Sequence, residues 1–122
     1  MYQPKVLILD DDSDFLEGMS SVLEDAGCDY IATSDSNTIQ QKIRSYQPNL
    51  IILDVFLKDN ENGINIAQLL KDAKDTNGIP ILMVSGHDQA KEYVRSIGTN
   101  GYSYLSKPFS SNELVKKIYQ LI

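Results

Sequence analysis

The chain lacks three features that would each point to a particular class of protein: paired cysteines, an excess of positive charge and a long apolar run. Its 122 residues include one cysteine, Cys28, so neither an internal disulfide nor a multi-cysteine zinc site can form. We expect Cys28 to be a small core residue, which suits a reducing cytoplasm. The net charge of −6 argues against direct binding of nucleic acid or of an anionic membrane. No apolar stretch approaches the roughly 18 residues that span a bilayer.

What the chain does contain is the composition of a single folded domain. Apolar residues make up 42% and charged residues 23%, which is ordinary for a globular protein. No repeat, low-complexity tract or linker-like stretch divides it, and the short apolar run at the N-terminus lacks the cleavage site of a signal peptide. We therefore expect one domain over residues 1–122, with a real hydrophobic core.

Five short segments have the pattern of strands. Three are apolar at nearly every position, which is typical of strands buried on both faces of a parallel sheet. Two more are more polar, as edge strands should be. The buried runs are "VLIL" (6–9), "LIIL" (50–53) and "IPILMV" (79–84), and the edge candidates are "DYIAT" (29–33) and "YSYLS" (102–106).

Helical patterns lie between these segments, with apolar residues recurring at i, i+3, i+4 and i+7. Gly27 and Pro48 supply stops for the first two. Ser110 and Glu113 have the spacing of a capping box at the start of the last. The predicted helices cover residues 15–26, 39–46, 66–73 (with an apolar face of Ile66, Leu69, Leu70 and Ala73 that Ala67 widens), 90–97 and 110–122.

Strand and helix thus alternate five times, which predicts an α/β fold with a doubly wound parallel sheet and right-handed crossovers. Ligands bind such sheets outside the carboxyl ends of the strands. Because these ends converge on one edge, we expect the polar residues that follow them to share a cleft. They are Asp10, Asp11 and Asp12 after the first strand, Asp54 after the third, Ser85 after the fourth and Lys107 after the fifth.

The clustering of carboxylates is costly unless a cation relieves it. Two unit charges about 4 Å apart repel by roughly 4 kcal/mol at an effective dielectric near 20, and oxygen-rich sites suit Mg²⁺. Asp54 can then act as a nucleophile that forms an acyl phosphate, while Lys107 and Ser85 neutralise phosphoryl oxygens. Asp12 and Asp14 also fit the simpler role of helix caps.

Four motifs in fixed order carry a resemblance to a known family: "KVLILDDD" (5–12), "NLIILDVFL" (49–57), "PILMVSG" (80–86) and "YLSKPF" (104–109). At these residues, and over essentially its whole length, the chain resembles the receiver domains of two-component response regulators. The resemblance implies a flavodoxin-like (βα)5 sandwich with parallel strands in the order 2-1-3-4-5.

The resemblance also implies a phosphorylation site. Asp54 matches the phosphoacceptor, and Asp10 and Asp11 match the acidic pair that binds Mg²⁺ together with Asp54 and the backbone carbonyl of Phe56. Lys107 matches the active-site lysine and is expected to precede a cis bond to Pro108. The phosphoryl donor would be a histidine kinase or a phosphotransfer protein.

Ser85 and Tyr104 match the pair that transmits phosphorylation in this family, although Tyr104 alone would pass for an ordinary edge-strand residue. The two would reshape the switch surface, which consists of the predicted helix 90–97, the strand 102–106 and the last helix. This surface would bind an output partner that the sequence does not identify, and a phosphorylation-dependent dimer through it is a further candidate.

Three residues border the expected phosphoryl position and are predicted to modulate the reaction. A bulky Phe56 should hinder the attacking water and slow dephosphorylation. Gly86 leaves room for the phosphoryl donor. His87 either borders the phosphoryl group or is simply a surface residue.

The chain departs from the family pattern at three places. Lys58 stands where proline is frequent, the loop "KDNENG" (58–63) is one residue longer than the commonest form, and "NG" (100–101) replaces the usual "GA". The first two suggest a differently shaped loop beside the site. None of the three removes a chemical group.

Two other functions compete with phosphoacceptance. A degenerate receiver would signal by binding alone, but the chemical set around Asp54 is intact. A phosphatase of the haloacid-dehalogenase type would show "DxDxT" at the nucleophile, whereas here "VFLK" follows Asp54. We therefore expect no enzyme acting on other substrates, and a chain that is either a complete single-domain regulator or a piece of a larger regulator or hybrid kinase.

Overall fold

The computed structural model describes residues 3–57, 62–86 and 102–122. Five parallel strands form one sheet in the order β2-β1-β3-β4-β5, which confirms the predicted topology. The central strands are the apolar runs, and the more polar β2 and β5 lie at the edges. The strands are β1 (Lys5–Leu9), β2 (Asp29–Thr33), β3 (Leu50–Asp54), β4 (Ile81–Ser85) and β5 (Tyr102–Ser106).

Four of the predicted helices are present in the described residues. The fourth predicted helix, 90–97, lies outside them, as do His87, Lys58 and the "NG" turn at 100–101. No helix in the described part of the chain is both long and apolar enough to cross a membrane. The helices are α1 (Ser13–Asp25), α2 (Ile39–Tyr46), α3 (Gly63–Asp72) and the C-terminal helix (Ser111–Leu121).

The core has two layers, one on each face of the sheet. Successive strand residues point to opposite faces, so Leu7 and Leu53 pack on the side of α2 and α3, whereas Ile8 and Ile52 pack on the side of α1 and the C-terminal helix. All four are fully buried. Since burying one such side chain contributes about 1.5–3 kcal/mol, the two central strands anchor the sheet edge that carries the polar residues.

The helix ends follow from local sequence. Asp12 caps α1, because its Oδ1 accepts hydrogen bonds from the N–H groups of Asp14 and Phe15 at 3.0 and 3.2 Å. Gly27 adopts a φ of +79°, a left-handed conformation that other residues rarely take, and ends the same helix. The capping box of Ser110 and Glu113 is present as predicted.

The prediction for the face of α3 is wrong in one residue. Leu69 is 59% exposed, whereas Ile64, Ala67 and Leu70 are buried. The helix begins at Gly63, and its buried stripe follows the spacing 64, 67 and 70. Leu69 lies about 200° around the helix from Ala67 and therefore faces away from the sheet.

Candidate functional site

Three carboxylates converge at the carboxyl ends of β1 and β3. Asp10, Asp11 and Asp54 each offer an oxygen, and these oxygens lie within 4.8 Å of one another. The convergence follows from the sheet, since β1 pairs with β3 and Leu9 is in register with Leu53. Asp10 is fully buried and Asp54 is 7% exposed. The sheet thus brings together acids that are far apart in the sequence.

Both carboxylate oxygens of Asp10 already have hydrogen-bond donors. Its Oδ1 accepts from the backbone N–H of Asp12 at 2.9 Å, and its Oδ2 accepts from Nζ of Lys107 at 2.7 Å. Asp12, which the sequence left open between the acidic cluster and a helix cap, is exposed and accepts the capping hydrogen bonds of α1, so it belongs to the end of that helix.

Lys107 is the cationic member of the site. Its Nζ lies 2.7 Å from Asp10 Oδ2 and 3.8 Å from Asp54 Oδ2, and its side chain is 19% exposed. The backbone N–H of Lys107 donates to the carbonyl of Ser85 at 2.9 Å, which ties the end of β5 to the end of β4. The bond to Pro108 is cis, as the resemblance implied.

The surroundings of Asp54 change the pKa of its carboxyl. Burial, followed by repulsion from Asp10, raises the pKa of the Asp54 carboxyl to about 6. The ammonium of Lys107 and the N–H of Phe56, which donates to Asp54 Oδ1 at 3.3 Å, oppose this rise. Asp54 is therefore mostly ionised at neutral pH, although burial and the charge of Asp10 destabilise its ionised form.

The cluster fits a divalent cation. All three acidic donors are oxygens, the type of ligand that Mg²⁺ takes. Three carboxylates and one ammonium leave two negative charges when all are ionised, which one divalent cation balances. An antiparallel bridge to Asn62 holds the backbone of Phe56 just beyond Asp54. Asp10, Asp11 and Asp54 are thus the candidate ligands, and the carbonyl of Phe56 as a fourth stays a prediction.

Ser85 and Gly86 lie where β4 ends. Ser85 is 1% exposed, and its neighbour in the sheet register is Ser106, directly before Lys107. A methyl group added to Gly86 would meet the Cβ of Lys107 at 3.8 Å, an ordinary contact. The predicted role of Gly86 in admitting a phosphoryl donor stays a prediction.

Tyr104 is physically linked to Ser85. Its hydroxyl donates to the Ser85 carbonyl at 3.3 Å, and its half-buried ring packs against the core on the side of α2 and α3. The structure therefore brings together the two residues of the predicted switch pair. Their role in switching stays a prediction.

Two residues of the site were not recognised from the sequence. Phe15 was assigned to the apolar stripe of α1, yet its ring centroid lies 3.8 Å from Nζ of Lys107. Gly63 was noted only as the end of a loop, yet a methyl group there would overlap the carbonyl oxygen of Asp54. The sequence places Phe15 three residues past the cap Asp12, but its contact with Lys107 depends on where β5 ends, which no pattern near Phe15 indicates.

The doubly wound parallel sheet, with buried carboxylates and a lysine at the carboxyl ends of its strands, defines a flavodoxin-like protein with a candidate divalent-cation site. The sequence model described as response regulator receiver domain matches residues 6–119, and the chain belongs to this family.

Two curated relatives are each 30% identical to the chain. The nitrogen assimilation regulatory protein NtrX of Azorhizobium caulinodans matches over 90% of this chain and 24% of its own length. The phosphate regulon transcriptional regulatory protein PhoB of Klebsiella pneumoniae matches over 93% of this chain and 49% of its own length. The chain therefore spans half or less of these relatives.

A solved structure supports the fold. The chemotaxis protein CheY4 of Vibrio cholerae superposes with a TM-score of 0.85, covering 99% of this chain and 100% of its own, at 24% identity. At this identity the likeness establishes the architecture alone.

Proposed function

We propose that this receiver domain accepts a phosphoryl group on Asp54 from the phosphohistidine of a sensor histidine kinase or a phosphotransfer protein. One observation carries the proposal. The Asp54 carboxylate shares a cluster with Asp10 and Asp11, and its Oδ2 lies 3.8 Å from the ammonium of Lys107. A nucleophile, a candidate cation site and a fixed positive charge therefore meet at one point.

In the proposed reaction a carboxylate oxygen of Asp54 forms a bond to phosphorus while the bond from phosphorus to the donor imidazole nitrogen breaks. Because the pKa of Asp54 is about 6, the carboxylate is available as a nucleophile at neutral pH. Lys107 compensates the charge on the transferred oxygens, and the hydroxyl of Ser85 is the proposed donor to one of them.

Mg²⁺ is the proposed cofactor. Asp10, Asp11, Asp54 and the carbonyl of Phe56 would hold it, and the bound ion would supply positive charge for the incoming phosphoryl oxygens. The support is the oxygen-only donor set and the two negative charges that Lys107 leaves uncompensated.

The consequence of phosphorylation is proposed to be a population shift of the switch surface. The hydrogen bond between Tyr104 and the carbonyl of Ser85 is a direct connection from the site to β5, one part of that surface. The output partner is not identified by any feature of the described residues. A kinase partner, an effector domain, and a dimer through this surface are part of the proposal, and a cytoplasmic location stays a prediction.

The first test is phosphorylation by acetyl phosphate with Mg²⁺, followed by intact mass. We expect a gain of one phosphoryl group that disappears in Asp54→Asn and in the absence of Mg²⁺. The matched control is Asp75→Asn, an exposed acid paired with Arg44, which should gain as much as the parent. An unchanged gain in Asp54→Asn would refute the assignment.

The second test separates a switch protein from a phosphatase. We propose that the domain catalyses only its own phosphorylation and slow dephosphorylation. Incubation with a small phosphate ester should therefore release phosphate no faster than the phosphorylated domain loses it by its own dephosphorylation. Turnover well above that rate that is lost in Asp54→Asn would favour the phosphatase function instead.

A further inference from the structure

We propose that Phe15 is a positioning residue for Lys107, holding the ammonium at Asp54 through the face of its ring. The inference rests on the proposed phosphoacceptor function, because Lys107 is the residue that compensates phosphoryl charge there. From its place in the apolar stripe of α1, the sequence alone predicts only a packing role for Phe15.

The Lys107 ammonium has three partners in the described residues. Asp10 Oδ2 lies at 2.7 Å, Asp54 Oδ2 at 3.8 Å and the centroid of the Phe15 ring at 3.8 Å. A cation attracts an aromatic face within about 6 Å, most strongly where water is excluded. With the lysine side chain 19% exposed, the ring covers a direction in which water would otherwise solvate the ammonium.

The ring is itself held in place from two sides. The N–H of Phe15 donates to the capping carboxylate of Asp12 at 3.2 Å, which fixes the first turn of α1. Phe109 meets the Phe15 ring edge to face, with centroids 5.9 Å apart and planes at 87°. This pair adds to the packing of the Phe15 ring, over which the ammonium of Lys107 lies.

The ring matters because its competitor for the lysine has a second role. Asp10 is the closest partner of Lys107 and also a candidate cation ligand, so a bound cation would draw on the same carboxylate charge. A lysine on a flexible four-carbon stem is then free to turn toward water. The Phe15 ring is not a candidate cation ligand, so its attraction for the ammonium persists when a cation binds and keeps the ammonium facing Asp54.

The experiment must distinguish this attraction from simple packing. Fluorinated phenylalanines keep the shape of the ring but weaken the negative potential of its face. We would compare phenylalanine with its 4-fluoro, 3,5-difluoro and 3,4,5-trifluoro forms at position 15, together with Phe15→Tyr and Phe15→Leu. The same fluorinated residues at position 109 are the matched control, because Phe109 contacts Phe15 and the structure gives it no contact with Nζ of Lys107.

Two readouts are needed. In protein without metal, the ε-methylene protons of Lys107 should show an upfield ring-current shift by NMR that is lost in Phe15→Leu and declines with fluorination at position 15. With acetyl phosphate and Mg²⁺, Phe15→Leu should phosphorylate about two- to fivefold more slowly. Phe15→Tyr should stay near the parent rate, and the fluorinated series should fall stepwise.

The outcomes separate the two proposals. A parent protein that is never phosphorylated overturns the proposed function, whereas the NMR series still tests the contact. A phosphorylated parent whose rate is unchanged along the fluorinated series at position 15, or changes equally at position 109, overturns the positioning role. A chemical shift of the Lys107 ε-methylene protons that does not change along the fluorinated series at position 15 overturns the positioning role as well, even if Phe15→Leu proves unstable.

Discussion

At the scale of single residues, the site holds like charges so close together and so deeply buried that they lower the stability of the folded protein. Asp54 is nearly buried beside Asp10, and this burial raises the pKa of its carboxyl from 3.8 to about 6. Lys107 offsets part of the repulsion but cannot balance three carboxylates. The residue that we propose as the nucleophile is therefore also a source of instability in the protein without metal.

We expect Asp54→Asn to stabilise the metal-free protein near neutral pH. Between pH 3.8 and about 6 the folded protein binds more protons than the unfolded chain, so its stability falls as the pH rises through this window. The substitution should raise the free energy of unfolding by up to about 3 kcal/mol above the window, and by much less near pH 4.

Urea denaturation in EDTA, once at neutral pH and once near pH 4, would measure this difference. Asp75→Asn serves as the control, because this exposed acid pairs with the exposed Arg44 and the substitution should change stability little. Equal stabilisation by Asp54→Asn at both pH values would contradict the explanation.

Phe56 should set the lifetime of the phosphoryl group. Its partly buried ring packs against the core, and its N–H donates to Asp54. A smaller polar side chain in Phe56→Asn should admit water and shorten the half-life of the phosphorylated form severalfold, while Phe56→Leu should stay closer to the parent. Intact mass after removal of acetyl phosphate follows the decay, and equal half-lives in all three proteins would exclude steric shielding by this ring.

At the scale of elements, the ends of helices and strands place the site. The start of α3 packs against the end of β3, where the N–H of Gly63 donates to the carbonyl of Val55 at 2.8 Å. The bridge between Phe56 and Asn62 joins the same two segments. The backbone just after β3 and the start of α3 are thus held together by contacts that require the smallest residue at position 63.

Gly63→Ala should therefore disturb both stability and the site. Its methyl group would overlap the carbonyl oxygen of Asp54, and we expect a loss of about 1–3 kcal/mol with slower phosphorylation. Gly18→Ala is the control, because no described atom outside its own helix lies within 4 Å of a methyl group there. That exposed helix position should gain about 0.5–1 kcal/mol. A Gly63→Ala protein as stable as the parent would show that α3 can shift away without cost.

At the scale of the whole molecule, the parallel sheet assembles a candidate cation site from distant parts of the chain. Asp10 and Asp11 come from the end of β1, Asp54 from the end of β3, and Lys107 from beyond β5. The hydrogen bond between Lys107 and Asp10 joins residues 97 positions apart. Because the folded state alone holds this arrangement, a cation that binds there should stabilise the fold.

Mg²⁺ should raise the melting temperature of the parent protein. At a concentration one hundredfold above its dissociation constant, the stabilisation would be about 2.7 kcal/mol. Asp11→Asn should lose most of this shift, whereas Asp12→Asn should keep it, since Asp12 caps α1 and asparagine caps equally well. Thermal unfolding with and without Mg²⁺ measures the effect, and a shift that survives Asp11→Asn would remove this residue from the site.

The sequence by itself determined the elements of the described fold and the chemical types at the site. Strand and helix periods, the stop at Gly27 and the capping box at Ser110 depend on neighbours in the chain, so their signals are local. The resemblance added the strand order and the family. Only the tertiary structure decided that Phe15 lies beneath Lys107, that Gly63 touches Asp54 and that Leu69 faces away from the sheet. These facts depend on how separate elements pack. A pattern among neighbouring residues does not specify the distance between residues that are far apart in the chain.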